Sequence, residues 1–441
     1  MSPTTSARRA GLQGSIGRGG LGRNFTILWA AQALSSFGEF LLASTLTVWI
    51  ITDIGGADPA TPLMVGAVVA AAALPRILIG PFAGVLTDQW SQKRTMIFSD
   101  WTRVGVIVAS AAAIKYMESN GLAIILPIIM MTAAVSALAQ FFNPARAAVM
   151  QRILAPEMRL AAAARSSFAT TGVAIVATAS GPALYALAGP WFALAFNAVT
   201  FALSAFLLVF LNGAESNRET TMEGSSYWSK FADGFKTIWG VGELRLILYA
   251  TALYGTSLGI NNASLSLFAL QTLGLSPAQY GIVAAMFPAG SLLVAVIASR
   301  VPAFGRQDPR VYVGAIVALG LSYVAYAFST SFQLAAALMF LSGVFFSVFA
   351  ICQGPILQRA TPPSYMGRMT ATTAPIMAIS SLAATMLVSV LLGPAGGEHQ
   401  SSSGPGPQLA LLCSAVVLVA GGSILWHRIR ADSDRSLENS E

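Results

Sequence analysis

Four ionisable side chains lie deep within long apolar runs of this sequence: Glu39, Arg76, Asp100 and Arg103. A charge at the centre of a lipid bilayer costs about 2.5–17 kcal/mol, depending on the method, so such a residue needs a partner or a water-filled cavity. A carboxylate that is both buried and next to a cation can bind and release protons. The pattern predicts Glu39 as a proton-coupling residue and Arg76 as its partner or as a contact for a bound molecule. A static Glu39–Arg76 ion pair that only holds helices together is the alternative.

The apolar runs around these residues indicate a membrane protein. Hydrophobic residues make up 55% of the 441 residues and charged residues only 10%, whereas soluble domains carry about 25% charged residues. A membrane-spanning helix needs about 20 apolar residues. The sequence predicts an all-α membrane protein with about twelve transmembrane helices, near 25–51, 62–86, 95–115, 122–142, 160–187, 191–212, 243–269, 277–299, 311–328, 332–355, 368–393 and 408–427.

The basic residues predict how the chain crosses the membrane. Of the 25 Lys and Arg residues, all but Arg76, Arg103 and Lys115 fall in the tails or in alternate connections. Because cytoplasmic loops carry an excess of Lys and Arg, both termini are expected in the cytoplasm of a multi-pass protein of the cell membrane.

A polar stretch in the middle of the chain predicts two halves. It contains aromatic residues at helical spacing, which favours an amphipathic helix in the membrane interface, or alternatively a linker helix packed on the bundle. The predicted organisation is a cytoplasmic tail, a six-helix bundle, a linker, a second six-helix bundle and a second cytoplasmic tail, at 1–24, 25–212, 213–242, 243–427 and 428–441.

Several other classes of function find no support in the residues. Cys352 and Cys413 both lie in apolar runs, and His399 and His427 are isolated, so no metal-ligand spacing is present. There is no nucleotide-binding glycine loop, and no paired carboxylates or nucleophile–base arrangement. We therefore predict neither an enzyme nor a cofactor, and the scattered basic clusters do not form a nucleic-acid-binding face.

The connection between the second and third spans carries a motif. Gly84 is followed by Asp88 and then by Lys93 and Arg94. The segment resembles the signature G-x-x-x-D-R-x-G-R-K of the major facilitator superfamily, with Gln89, Ser91 and Gln92 in place of two arginines and a glycine. The resemblance implies that Asp88 interacts with the start of the eleventh helix, near Arg368, and stabilises an inner gate. A positioned loop charge without a gating role is the alternative.

Other segments resemble the macrolide-efflux and enterobactin-exporter-like permeases of that superfamily. They are Asn24-Phe25, Ser35-Ser-Phe-Gly38-Glu39, the pair Asp100 and Arg103, Phe141-Phe-Asn143-Pro144-Ala-Arg146, Gly181-Pro182, Asn197-Ala-Val-Thr-Phe201 and Gly367-Arg368. Asp100 and Arg103 stand i, i+3 apart on one helix face. The resemblance implies that these two residues and Arg146 belong to the inner-gate network.

The fifth span resembles a motif associated with antiporters of the superfamily. Gly172 is followed nine residues later by Gly181-Pro182, whereas Tyr185 and Ala186 occupy the places of a further glycine pair. Glycine and proline there would thin and bend the helix and let neighbours pack closely. A plain kinked helix is the alternative.

Polar and aromatic residues within the spans predict a cavity of mixed character. The candidates for contact with a substrate are Trp29, Phe37, Tyr254, Asn261, Asn262 and Gln353. Hydrogen bonds between helices are the alternative for each residue taken singly.

Together these features predict a secondary active transporter that exports a hydrophobic or amphiphilic small molecule by alternating access, driven by protons. Its expected partners are the small-molecule substrate, protons and the lipid bilayer, and the expected state is a monomer. Uptake or facilitated diffusion of a nutrient, and a non-transporting receptor or scaffold with a sealed bundle, are the alternatives.

Overall fold

A computed structural model describes residues 22–56, 58–117, 123–212, 242–300, 308–360, 366–393 and 406–438. Within these ranges the chain forms α-helices and no strand. The helices are α1 Arg23–Trp49, α2 Thr61–Leu78, α3 Gly80–Gln89, α4 Gln92–Met117, α5 Ile125–Ile153, α6 Pro156–Val209, α7 Gly242–Leu267, α8 Pro277–Arg300, α9 Pro309–Ala327, α10 Phe332–Ala360, α11 Met366–Leu392 and α12 Gly406–Glu438. Short π-helical turns, Ile50–Ile54 and Phe268–Thr272, extend α1 and α7.

Proline and glycine set the interruptions in these helices. α6 bends at Gly189, which has a φ of 77° that only glycine adopts readily and which precedes Pro190. The bend separates the predicted spans 160–187 and 191–212. The predicted span 62–86 is divided into α2 and α3 at Ile79, just after Pro75, the proline within α2.

The prediction of an all-helical membrane protein is confirmed. In the described ranges, ten helical stretches are long and apolar enough to cross a membrane, one of them being the bent stretch Phe168–Val209. α7, which holds the predicted seventh span, is not among the ten. The count of twelve spans therefore stays a prediction.

The surface of the bundle is apolar. Large side chains such as Phe98 and Leu187 are 69% and 84% exposed. Contiguous apolar surface of this kind is rare on soluble monomers and suits contact with lipid.

The helices pack in two groups, which we call the first half (α1–α6) and the second half (α7–α12). Within the first half α1 packs on α6 and α4 on α5; within the second half α8 packs on α10 and α9 on α12. The predicted linker lies outside the described residues apart from Gly242, so the domain boundaries stay predictions.

The halves meet through α2 with α11 and α6 with α8. Close contacts lie near the connection between α1 and α2, at the end of the bundle opposite the start of α1. There a Cβ added to Gly66 would overlap Ser389, and Gln271 Nε2 of the second half donates to the Gly56 carbonyl at 3.0 Å. We call this the α1–α2 end.

Candidate functional site

A buried charge network lies where α1, α4 and α6 meet in the first half. Gly38 lets α1 and α6 approach closely, because a Cβ there would lie 2.6 Å from the Thr200 hydroxyl oxygen. The Asn197 side chain donates to the Gly38 carbonyl at the same crossing. α4 packs against α6 alongside, so polar side chains of three helices converge at one place.

Arg103 on α4 is the centre of this network. Its Nη1 lies 2.9 Å from Asp100 Oδ1 and its Nη2 lies 3.0 Å from Glu39 Oε1. The side chains of Arg103 and Asp100 have no exposed surface, whereas that of Glu39 is 34% exposed. One guanidinium therefore faces two carboxylates, and only one of them is open to the surroundings. We call Glu39, Asp100 and Arg103 the charge triad.

Hydroxyl groups and aromatic rings complete the surroundings of the charge triad. Ser204 Oγ on α6 donates to Asp100 Oδ2 at 2.6 Å, and Ser35 Oγ on α1 accepts from Arg103 Nη1 at 2.8 Å. The guanidinium carbon lies 5.4 Å and 5.0 Å from the ring centroids of Phe142 and Phe201. Cation–π contacts of this kind gain strength when they are desolvated, so the rings help to hold a charge without water.

A central cavity of about 840 Å³ lies between the halves and reaches Glu39. Its wall in the first half comes from α1, α2, α5 and α6, and its wall in the second half from α7, α8 and α11. Among the described residues that line it, only Glu39 and Arg76 carry a charge, and both belong to the first half. The volume suits a drug-sized organic molecule.

The partner of Glu39 differs from the sequence-based prediction. Glu39 pairs with Arg103, and among the described residues it makes no ion pair with Arg76. Arg76 instead lines the cavity with an exposed side chain. The static Glu39–Arg76 pair considered as the alternative is therefore absent from the described part of the chain.

The predicted inner-gate residues are found in separate places. Lys93 Nζ donates to the carbonyls of Val209 and Leu211, each at 2.7 Å, so it caps the C-terminal end of α6, where a cation is favoured. Arg146 Nη1 donates to Gln32 Oε1 at 2.8 Å, and Arg94 is exposed. Asp100 and Arg103 lie in the charge triad. The side chains of Asp88 and Arg368, and the close surroundings of Gly84, lie outside the part that the structure describes.

The antiporter-like segment lies at a contact between helices. A Cβ on Gly181 would lie 2.9 Å from the Leu41 carbonyl oxygen of α1. Pro182 packs on the other side against Gly281 of α8, whose added Cβ would approach it to 3.2 Å. Gly172 has open space where a Cβ would lie, so close packing explains Gly181 but not Gly172.

Two of the six predicted cavity residues, Asn261 and Asn262, line the central cavity. The other four do not. Trp29 and Phe37 contact α6, through the Arg165 carbonyl and the Phe196 ring. Tyr254 and Gln353 lie inside the second half: the Tyr254 ring stacks on that of Phe346 at 5.0 Å, and Gln353 donates to Thr251 Oγ1 at 3.0 Å.

Sequence reasoning missed Ser204 altogether. It did not assign roles to Ser35, Phe142 and Phe201, although all three lie in segments that carried the family resemblance. Those segments come from different helices, and the structure brings them together around Arg103. Within the described residues no group of three His, Cys, Asp or Glu side chains is placed to hold a metal ion.

Two packed groups of helices around a central cavity are the architecture of a major facilitator superfamily transporter. The chain belongs to the family described as transmembrane secretion effector, whose model matches residues 22–440. The predicted superfamily is confirmed, whereas the narrower resemblance to the efflux branch stays a prediction.

Individual relatives agree with this assignment. The chain is 25% identical to an uncharacterized MFS-type transporter, YfiS, of Bacillus subtilis (strain 168), over 93% of this chain and 94% of that protein. Its fold is similar to that of a bacterial homolog of the human lysosomal transporter Spinster, solved in an inward-facing, unoccupied conformation, with a TM-score of 0.67, 15% identity and coverage of 92% and 97% of the two chains. It is also similar to the POT family transporter PepTSo, with a TM-score of 0.69, 11% identity and coverage of 93% and 98%. The two structural similarities concern the fold alone.

Proposed function

We propose that this membrane transporter exports a hydrophobic or amphiphilic small molecule and couples the export to proton uptake at Glu39. The observation that carries the proposal is the position of Glu39. It is the one member of the charge triad with exposed surface, and it lines the central cavity. A carboxylate placed in this way can exchange protons with water in the cavity. Each change in its charge alters its interaction with the buried pair of Arg103 and Asp100.

The composition of the charge triad supports proton coupling. Two carboxylates share one guanidinium, so the group has one excess negative charge when both are ionised and none when one is protonated. Like charges at close range disfavour the doubly ionised state. Binding of one proton therefore balances the charge of the network.

Glu39 is a better proton carrier than Asp100. Asp100 accepts from Arg103 Nη1 at 2.9 Å, Ser204 Oγ at 2.6 Å and Ser35 Oγ at 3.3 Å. These three donors occupy both oxygens of the carboxylate, and Asp100 has no exposed surface, so water in the cavity has no direct access to it. Glu39 has one partner in the described part of the chain, Arg103, and has access to the cavity.

The contact pattern of the halves supports alternating access. The halves touch at the α1–α2 end, near Gly66 and Gln271. The basic residues concentrate toward the opposite end, which the positive-inside rule assigns to the cytoplasm. We therefore assign the α1–α2 end to the outside, and this arrangement to a state closed on the outside. The proposed inner gate, with Asp88 and Arg368, would close when the cavity opens outward.

The direction of transport is proposed from the family description, which names secretion. The central cavity argues against the sealed bundle expected of a receptor or scaffold. Uptake is the competing direction, and it is separated from export by assays in inside-out and right-side-out vesicles.

The test uses purified protein in proteoliposomes and three amphiphiles that share a naphthylamine body. N-phenyl-1-naphthylamine is neutral, 8-anilinonaphthalene-1-sulfonate is an anion and N-(1-naphthyl)ethylenediamine is a cation. A pH gradient should drive at least one of them against its concentration gradient. Glu39→Gln should abolish this gradient-driven transport while counterflow of the same compound continues. Counterflow continues because the cavity with its bound compound can still open alternately to the two sides of the membrane.

Asp53→Asn is the matched control, since it also removes one carboxylate charge but Asp53 does not line the cavity. It should transport like the unaltered protein. Gradient-driven transport that survives in Glu39→Gln would remove Glu39 as the proton carrier.

A further inference from the structure

Arg76 presents the unbalanced charge of the central cavity. Of the two charged lining residues, Glu39 already lies 3.0 Å from the guanidinium of Arg103. In the described part of the chain, no carboxylate lies within 4.0 Å of an Arg76 nitrogen. Its exposed side chain therefore carries a positive charge that no described protein group neutralises.

Such a charge in a membrane protein is stabilised by water, by backbone carbonyl groups or by an anion. A guanidinium has several N–H donors in a fixed plane and binds carboxylate, sulfonate or phosphate groups through two parallel hydrogen bonds. The cavity is lined mainly by apolar atoms, and an ion pair is stronger there than in bulk water. An acidic group on the bound molecule would thus supply a negative charge to pair with Arg76.

The wall that the second half contributes has a different character. α7 contributes Leu258 and Leu265, and α11 contributes Met377, Ile379 and Leu382. Among the described residues of the second half, none that lines the cavity is charged. This surface suits the hydrocarbon or aromatic body of a ligand, and its polar residues are uncharged: Asn261, Asn262 and Ser266 on α7, and Ser381 and Thr385 on α11.

We propose that the substrate is an amphiphilic organic anion whose acidic group binds Arg76 and whose apolar body packs against α7 and α11. The inference deepens the proposed function and rests on it for the word substrate, but it does not rest on proton coupling. A cationic ligand fits less well, because the available carboxylate is already paired with Arg103 and Arg76 would repel a second positive charge in the same cavity.

Equilibrium binding to the full chain in lipid nanodiscs tests this assignment. The three naphthylamine compounds named above are the probes, and binding to empty nanodiscs is subtracted. The sulfonate should bind at least tenfold more tightly than the neutral amine, and the cation should bind most weakly. Equal affinities, or tighter binding of the cation, in the unaltered protein would overturn the proposal without any substitution.

Three variants test whether Arg76 causes the preference for the sulfonate. Arg76→Gln should remove the preference for the sulfonate and leave binding of the neutral amine within about twofold, whereas Arg76→Lys should keep part of the preference. Arg300→Gln is the matched control, since Arg300 is an exposed arginine at the end of α8, and it should keep the full preference. A preference that persists unchanged in Arg76→Gln would show that the anion binds elsewhere.

The binding experiment tests the anion site and the transport experiment tests proton coupling, so either result can be negative without the other. Binding requires neither a pH gradient nor movement of the halves. Loss of anion preference in Arg76→Gln together with gradient-driven transport of all three probes would support the proposed function and limit Arg76 to selectivity for anions. Anion binding through Arg76 without gradient-driven transport of any probe would keep the site and remove the proton-coupled function.

Discussion

The two halves of the bundle solve the problem of burying polar groups in different ways. In the first half, α4 carries a guanidinium and a carboxylate, Arg103 and Asp100, whose side chains have no exposed surface. In the described part of the second half, the buried polar residues are uncharged hydroxyl and amide groups, such as the Ser257–Ser414 pair at 2.6 Å. Its interior also holds stacked rings, among them Tyr312 and Phe349 with centroids 4.8 Å apart.

The difference assigns different tasks to the halves. A charge network changes its energy when a proton arrives, whereas a stack of rings and hydroxyl pairs does not. Under the proposed function, the first half therefore has the groups that would bind protons, and the described part of the second half contributes an uncharged wall to the cavity. Comparable substitutions should therefore change the stability of the protein more in the first half than in the second.

The largest effect is expected from Arg103→Gln. The substitution leaves Asp100 and Glu39 without their shared counter-charge in a buried site, and breaking a buried pair in this way costs about 3–5 kcal/mol of unfolding free energy. Thermal unfolding of the purified protein in detergent would show a strongly lowered midpoint. Alternatively, size-exclusion chromatography would show loss of the monodisperse peak.

A double variant sharpens this prediction. Arg103→Gln combined with Asp100→Asn removes both charges of the fully buried pair and should recover much of the lost stability, since replacing both partners is far less costly than orphaning one. A double variant no more stable than Arg103→Gln alone would break the proposed contrast between the halves.

A smaller effect is expected when a single hydroxyl is removed from each half. Ser204→Ala takes a donor from the buried carboxylate of Asp100 and should cost about 1–3 kcal/mol. Ser322→Ala breaks a neutral hydroxyl pair with Ser342, 2.8 Å apart, and should cost about 0.5–1.5 kcal/mol. The two unfolding midpoints, measured side by side, compare a charged with an uncharged hydrogen bond in the same protein. Equal losses would mean that the charge on Asp100 adds nothing.

The smallest effect is expected from Gln353→Leu. Gln353 bonds to Thr251 within the second half and does not line the cavity, so binding of the naphthylamine probes should stay within about twofold and stability within about 1 kcal/mol. Asn262→Leu is its counterpart on the cavity wall and should alter probe affinity more strongly. A larger change in affinity from Gln353→Leu would place that side chain in the binding surface after all.

The sequence predicted the helices well because their causes are local. Long apolar runs define the spans, and the bend in α6 occurs at Gly189, between the two spans predicted there. The division between α2 and α3 was missed, although the run contains Pro75 and Pro81, because an apolar run has the same appearance whether or not a helix is interrupted within it.

The candidate site could be predicted only in part. Hydropathy showed that Glu39, Arg76 and Arg103 lie within spans, but it does not show which helices face each other. Arg76 on the neighbouring helix was therefore predicted as the partner of Glu39 or as a ligand contact, whereas α1 packs on α6 at Gly38 and Glu39 pairs with Arg103. In the same way, Gln353 and Asn262 are both amides in apolar runs, and only the fold shows that one faces a neighbour and the other the cavity.

The unequal exposure of the charge triad has a consequence for the order of events in a transport cycle. Asp100 and Arg103 are closed off on every side, so water reaches the group only across Glu39, from within the cavity. A molecule that fills the cavity would cover that same carboxylate, because Glu39 lines the cavity. Under the proposed function, hydration of Glu39 and occupancy of the cavity by substrate are then competing conditions, and a cycle in which the two alternate would need no separate coupling element.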